Sequence, residues 1–321
     1  MLIIFIKGFF MKKKTKIILS SAVAFVLLVT AVPTAIFFGR GNISSEALPD
    51  GFSQSLKADA FRKETDVRIM SSNLLVHYKS WGGTPAKPRA KQYTEVINEY
   101  KPDVIGIQEM CDSWYCLLQN NLPDGYKLLF PFSSGVFVRM TAMAYNSDTL
   151  NLIDSGNFAY ENGDNPRLRR VVWGVFEVKE TGKRFAVTST HFDLLRDGRE
   201  EELTQVMRSQ KDELLSEIDR LSAEYNCPVF STGDFNTMED TPETREIDIP
   251  EIYNSLAQNL TDAKFNCNNK VFGEAQAWEY PSYDHIFIKG NAETETFALL
   301  SYGYLSNMSD HYPIFADINI N

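Results

Sequence analysis

Histidine and cysteine are scarce, with four of each in 321 residues. The cysteines, Cys111, Cys116, Cys227 and Cys267, form no Cys-x-x-Cys, and no paired-histidine motif exists to complete a zinc site. There is no internal repeat and no low-complexity tract, which excludes solenoid and disordered architectures. Basic residues are also short: 32 Lys and Arg stand against 42 Asp and Glu. Six of those cations fall within residues 1–40, where there is no acid, so residues 41–321 hold 26 basic and 42 acidic residues, a formal charge of −16. A surface so acidic excludes tight nucleic-acid binding through a broad basic face, while brief catalytic contact with a phosphodiester stays open.

The charge asymmetry marks a targeting element. Lys12–Lys16 precedes Ile17–Phe38, 22 residues without a charge. A helix of that length spans roughly 33 Å, the hydrocarbon thickness of a bilayer. Lysines on its N-terminal side place the bulk of the chain outside the cytoplasm. An uncleaved signal anchor is the preferred reading of residues 1–40, because the small-residue site Val29-Thr30-Ala31 is followed closely by Pro33; a cleaved signal peptide, giving a secreted protein, is the other. Residues 41–64 read as a tether. In an exported chain Cys111 and Cys116 are close enough to bridge, whereas Cys227 precedes an apolar strand and reads as a core thiol.

From Val67 onward strands and helices alternate. Strands are expected at Val67–Leu75, Asp103–Gln108, 127–132, 136–145, 168–179, Arg184–Thr190, Pro228–Thr232, Asp284–Ile288 and Ile314–Ile320. Two helices stand out: Arg89–Tyr100, with Tyr93, Val96, Ile97 and Tyr100 on one face, and Gly198–Tyr225, with Leu203, Val206, Met207, Leu214, Ile218 and Leu221 at helical spacing. Many strands with two strong helices fit an α/β sandwich, two packed mixed β-sheets flanked by helices in four layers. Nothing divides residues 65–321, which read as one catalytic domain.

The polar residues at strand ends carry the chemistry. Phosphoesters repel nucleophiles, so a catalyst needs a cation on the phosphate oxygens, a base for water and donors for the developing charge. Mg²⁺ is a hard ion and takes a few carboxylate oxygens with water and substrate oxygens. Glu109 ends the apolar run Val104–Ile107, and Asn73 interrupts the first strand. His191 follows the strand ending at Thr190. Asp234 and Asn236 flank Phe235 after an apolar strand, so the ring can anchor the core while the polar pair faces a cleft. Asp310-His311 precedes the last strand, and a histidine oriented by a carboxylate is a competent base. Alone, each has a structural reading: a turn Asn, an exposed Glu, a core His.

In order, Asn73, Gln108-Glu109, Thr190-His191, Gly233-Asp234-Phe235-Asn236, Tyr283-Asp284-His285-Ile286 and Ser309-Asp310-His311 resemble the endonuclease/exonuclease/phosphatase superfamily, whose members include DNase-like nucleases, inositol-polyphosphate phosphatases, bacterial sphingomyelinases and deadenylases. The resemblance covers residues 65–321 and implies roles. Glu109 becomes the Mg²⁺ ligand (Mn²⁺ being the alternative ion), with Asn73 beside it. His311 becomes the base, Asp284 the carboxylate that orients it, and Asp310 a helper at metal or base. Asp234 and Asn236 position nucleophile and phosphate, and His191 contacts the phosphate or acts as an acid. Arg170, in the cluster Arg167, Arg169 and Arg170 near Trp173, is a substrate-binding candidate for a second phosphate; a solvated strand start is the competing reading.

The implied protein is a monomeric phosphodiesterase or phosphatase acting on nucleic acid, a phospholipid headgroup or a sugar phosphate. Two alternatives stand beside it. A calcineurin-like metallophosphatase needs an Asp-x-His start and a Gly-Asn-His stretch, and neither is present. A binding protein that kept the sandwich and lost catalysis is disfavoured by the intact polar set.

Overall fold

The computed structural model describes residues 43–50, 52, 65–76, 85–129, 140–163, 168–241, 244, 250–272, 282–301 and 307–321. The targeting segment, His77 and Arg167 lie outside them. Among the described residues no helix is long and apolar enough to cross a membrane.

Along the chain run β1 (Val67–Asn73), α1 (Ala86–Tyr100), β2 (Val104–Gln108), α2 (Asp112–Gln119), β3 (Tyr126–Leu129), β4 (Thr141–Asn146), β5 (Leu150–Ala159), β6 (Arg170–Val178) and β7 (Arg184–His191). They are followed by α3 (Glu200–Tyr225), β8 (Val229–Asp234), α4 (Pro250–Asn259), β9 (Thr261–Asp262), β10 (Cys267–Phe272), β11 (Asp284–Lys289), β12 (Ala292–Leu299) and β13 (Ile314–Ile320). Seven strands form one sheet in the order β10-β12-β13-β1-β2-β4-β3, and six form the other in the order β5-β6-β7-β8-β11-β9. Both mix parallel and antiparallel pairs: β1 runs parallel to β2 and antiparallel to β13, and β7 runs parallel to β8 and antiparallel to β6.

Three apolar cores separate four layers. Tyr93, Val96, Ile97 and Tyr100 of α1 and Trp114 and Leu117 of α2 pack on Met70, Ile105, Ile107 and Phe315 of the seven-stranded sheet. Val67, Ile69, Val104, Phe176, Phe185, Val187, Phe230, Ile286 and Ile318 fill the space between the sheets. Met207, Leu214, Ile218 and Leu221 of α3 and Ile252 and Leu256 of α4 cover Val175, Ala186, Val229 and Phe287. Alternation along each strand sends one set of residues to the middle core and the other to a helix layer. Each fully buried aliphatic or aromatic side chain contributes about 1.5–3 kcal/mol.

Local chemistry ends the helices where expected. Lys101 cannot stay α-helical before Pro102; it turns left-handed at φ 47° and donates its N–H to the Ile97 carbonyl. Glu200, Glu201 and Glu202 occupy the first turn of α3, where negative charge complements the helix dipole. Arg68, buried in β1, pairs with Asp317 of β13 through two nitrogens at 2.6 and 2.8 Å and donates to the Tyr100 carbonyl, joining three elements.

The structure corrects several expectations. Cys111, which precedes α2, and Cys116, which lies within it, are not joined by a disulfide, so the bridge that their spacing allows does not form. The described part of the segment read as a tether is docked: Ile43 and Phe52 are buried, and Leu48 packs against the α1–α2 core. Among the described residues four helices flank the sheets, not two, and β5, β9, β10 and β12 are additional strands.

Candidate active site

One edge of the sandwich gathers the strand ends. β1, β2, β7 and β8 finish there, and β6, β11 and β13 begin there. Register sets Asn73 beside Gln108, His191 beside Asp234, and Asp234 beside Asp284. After three of these strands the backbone turns left-handed, at Leu75 (φ 53°), Glu109 (φ 58°) and Asn236 (φ 48°). Such a conformation costs a side-chain-bearing residue roughly 1–2 kcal/mol, and here it turns Glu109 and Asn236 over the sheet edge.

Asp234 is the hub. Its Oδ2 accepts from Asn73 Nδ2 at 2.9 Å and lies 3.3 Å from His191 Nε2 and 3.8 Å from His311 Nε2. Its Oδ1 accepts from the Asn236 backbone N–H at 3.0 Å. His311 Nδ1 meets Asp284 Oδ2 at 2.6 Å. Asn73 Nδ2 also lies 3.5 Å from Glu109 Oε1, and Glu109 Oε2 accepts from the Val76 N–H at 2.8 Å. Glu109 and His311 therefore belong to one cleft, linked through Asn73 and Asp234.

Burial and neighbours set the charges. Burial pushes the Asp234 carboxyl up to about 6, opposed by the His311 cation. Burial works against charge on His311, but the Asp284 and Asp234 carboxylates outweigh it and hold the imidazolium up at about 10. His191 is driven well below the usual histidine range by burial, helped by Arg169 and His311, so its imidazole is neutral. With its proton on Nε2, His191 donates to Asp234 and leaves Nδ1 as an acceptor, and that buried atom has no protein partner. Gln108 Oε1, Thr141 Oγ1, Arg170 Nε and Asp284 Oδ1, each on a residue that ends or begins a strand, are likewise buried without partners.

The remaining candidates divide. Asn236 commits its amide to the Phe192 carbonyl at 2.9 Å, which ties the β8 loop to the β7 loop. The Asn73 oxygen accepts from the Leu75 N–H at 3.0 Å, and the amino group turned to Glu109 and Asp234 braces those carboxylates. Asp310 is exposed at the rim, where its Oδ1 accepts from Ser309 Oγ at 3.3 Å. Arg170 starts β6 at the same edge, half-buried, with one nitrogen on Asn157 Oδ1 at 2.5 Å. Arg169 is no solvated strand start; it is buried and paired with Asp193 at 3.1 Å.

Two supports escaped the sequence reading. Arg89 is fully buried and donates to the carbonyls of Leu74, Leu75, Val76 and Met308, which clamps the loops after β1 and before β13. Its signal was an arginine in line with the apolar stripe of α1. Trp114 Nε1 donates to the same Leu75 carbonyl, a contact no pattern announced.

The donor set suits a hard cation. Among the described residues no three His, Cys, Asp or Glu side chains are grouped so as to hold a metal ion between them. A single carboxylate, Glu109, beside the neutral Asn73 amide matches an ion that keeps waters and takes substrate oxygens.

The profile of the endonuclease/exonuclease/phosphatase family matches residues 70–311. The chain belongs to that family. Its enzymes, nucleases and phosphatases, hydrolyse phosphoesters. Family proteins of known structure share the fold. A mannosyl-6-phosphatase from Bacteroides thetaiotaomicron is 19% identical, with TM-score 0.62 over 78% of this chain and 99% of that one. A Bacteroides vulgatus family protein is 19% identical, with TM-score 0.62 over 79% and 99%. The human Nocturnin catalytic domain with bound sulfate is 22% identical, with TM-score 0.57 over 79% and 93%. No curated protein sequence matches the chain.

Proposed function

We propose that the chain is a monomeric Mg²⁺-dependent phosphoesterase working outside the cytoplasm, Mn²⁺ being the alternative ion. The observation that carries the reading is the continuous chain Glu109, Asn73, Asp234, His311, Asp284 along one cleft. Glu109 would hold the ion, with Asp310 as a second ligand, and the bound ion supplies positive charge to the phosphate oxygens.

The protein's own groups do the rest. His311 Nε2 and Asp234 Oδ2 stand 3.8 Å apart, too long for a direct hydrogen bond, and the attacking water would bridge them. Asp284 holds Nδ1–H of His311 and aims Nε2 at that water. Neutral His191 and the half-buried Arg170 offer a phosphate or its substituents their unpartnered nitrogens.

A second reading of the proton path has its own support. His311 sits between two carboxylates that favour its charged form, so Asp234 Oδ2 takes the proton from water and the His311 cation holds the phosphate. His311→Gln separates the two: it abolishes turnover if His311 is the base and leaves a measurable residue if Asp234 is.

Location rests on Lys12–Lys16 and the uncharged Ile17–Phe38, which would anchor or export the chain. The substrate classes that remain are nucleic acid, phospholipid headgroup and sugar phosphate. The names of the mannosyl-6-phosphatase and of a zebrafish-derived TDP2 bound to a single-strand DNA product span two of them.

The test is hydrolysis of bis(p-nitrophenyl) phosphate and p-nitrophenyl phosphate by the purified protein with Mg²⁺, then with chelator, then by His311→Ala. Activity that needs the metal and His311 supports the reading. Activity persisting in chelator sinks the metal, and none on any phosphoester sinks the enzyme.

A further inference from the structure

On the helix side of the six-stranded sheet, behind the cleft, lies a buried polar chain without a role in the reading above. Asp262 accepts from Tyr253 OH at 3.0 Å and from the Lys264 N–H at 2.8 Å, and faces His285 Nδ1 at 3.2 Å. The other nitrogen of His285 meets the Thr237 carbonyl at 3.0 Å, in the loop that carries Asn236. Glu239 pairs through one oxygen with Lys264 Nζ and through the other accepts from the Ser282 N–H at 2.8 Å. Ser282 Oγ then accepts from the Asp284 N–H at 3.1 Å and lies 3.0 Å from the Asp284 carbonyl, to which it donates.

Asp262, Lys264, Glu239 and His285 are all buried. Ionisable groups in a core are costly to desolvate, and apolar replacements of the same volume often serve stability as well. What these groups do that apolar ones cannot is fix direction, and they converge on one segment from two sides. Glu239 acts through Ser282 on both backbone polar groups of Asp284, while His285 pins the next residue to the Asn236 loop. The carboxylate so held is the one that sets His311 Nδ1 at 2.6 Å.

We propose that Glu239 and His285 are positioning residues for the Asp284–His311 pair. Neither touches the reacting atoms. The proposal deepens the phosphoesterase reading and rests on it for its kinetic consequence.

Two readouts test it on the full chain. One is the far-downfield proton resonance of His311 Nδ1–H, recorded without metal or substrate and assigned by its disappearance in His311→Ala. The other is turnover of bis(p-nitrophenyl) phosphate with Mg²⁺. Glu239→Ala is expected to shift the resonance upfield or erase it, and to lower kcat by about 10- to 100-fold, the scale of a misplacement of about 1 Å, with KM within about twofold. Glu239→Gln keeps an acceptor for the Ser282 N–H and restores most of both. His285→Gln is expected to disturb the resonance in the same direction.

An unchanged resonance and kcat in folded Glu239→Ala, or equal losses in the Gln and Ala variants, overturns the proposal. Should Glu239→Ala not fold, Ser282→Ala breaks the same link at a half-buried residue and decides by the same readouts. A wild-type protein inactive on every phosphoester refutes the catalytic reading, and the resonance still decides the positioning.

Discussion

Asn73 Nδ2 lies 2.9 Å from Asp234 Oδ2, and this bond joins the end of β1 in one sheet to the end of β8 in the other. The same amino group stands 3.5 Å from Glu109 Oε1, so one neutral side chain sits between two carboxylates. Asn73→Ala leaves the buried Asp234 oxygen short of a donor, a loss of about 1–3 kcal/mol. Asn73→Asp is expected to cost more, because it adds a third negative charge, and to regain part of that loss when Mg²⁺ is present. Urea unfolding in chelator and in Mg²⁺ measures both; wild-type stability for Asn73→Asp in chelator would refute the brace.

Glu109→Gln separates charge from shape. The amide oxygen can still accept from the Val76 N–H, so the fold should survive with little change in stability. Turnover is expected to fall by at least about 100-fold, the scale of losing a main electrostatic contributor. Calorimetric titration with Mg²⁺ should show weakened binding in parallel. Near-native rates and binding would remove Glu109 from the metal site.

How much of this was legible differs by element. β13 was read to the residue because Ile314, Ala316 and Ile318 alternate toward the middle core without interruption. β5 was not seen: it is an edge strand, mostly exposed or half-buried, and a bulge between Leu152 and Asp154 breaks the period. α2 is eight residues long, too short for its periodicity to speak. In the site, residues next to strong strands were legible because a polar residue ending an apolar run marks a sheet edge. Glu239, Asp262 and Lys264 were not, since their value lies in meeting one another across 25 positions of chain or fewer, and nothing local records that meeting.

His285 gives a pH signature in stability. Burial opposes its charge, but Asp262, Glu239 and the Thr237 carbonyl outweigh it, so its pKa is raised in the folded protein. A raised value means that folding favours the protonated ring. That contribution is fully present below the unfolded value, about 6.5, and is lost as pH climbs through the folded one. The stability gap between wild type and His285→Gln should therefore narrow from pH 6 toward pH 9. A gap that is constant or widens over that range would mean His285 is neutral in the fold.

Gly233 and Gly106 are both needed for space, yet they should respond differently to a methyl group. A β carbon on Gly233 would stand 2.6 Å from the Thr190 carbonyl oxygen and 2.8 Å from Thr190 Cγ2. Thr190 and Gly233 are paired across parallel strands, so neither backbone can retreat without moving the next pair, His191 and Asp234. Gly233→Ala is thus expected to cost about 1–3 kcal/mol as overpacking, and to depress turnover by displacing Asp234. A β carbon on Gly106 instead meets Thr232 Oγ1 at 1.9 Å, a side-chain atom on the facing sheet. Gly106→Ala/Thr232→Ala removes that oxygen but keeps the Thr232 β carbon at 2.9 Å, so it should recover part of the stability that Gly106→Ala loses, a positive coupling in a double-mutant cycle. Truncating Thr190 to Ala in the Gly233→Ala background should recover little, because the closest obstacle is the carbonyl. Thermal melts and kcat for these variants, with Thr232→Ala and Thr190→Ala alone as controls, decide between them: full rescue of Gly233→Ala by Thr190→Ala would show that the strands can part, and that Asp234 is not held by their register.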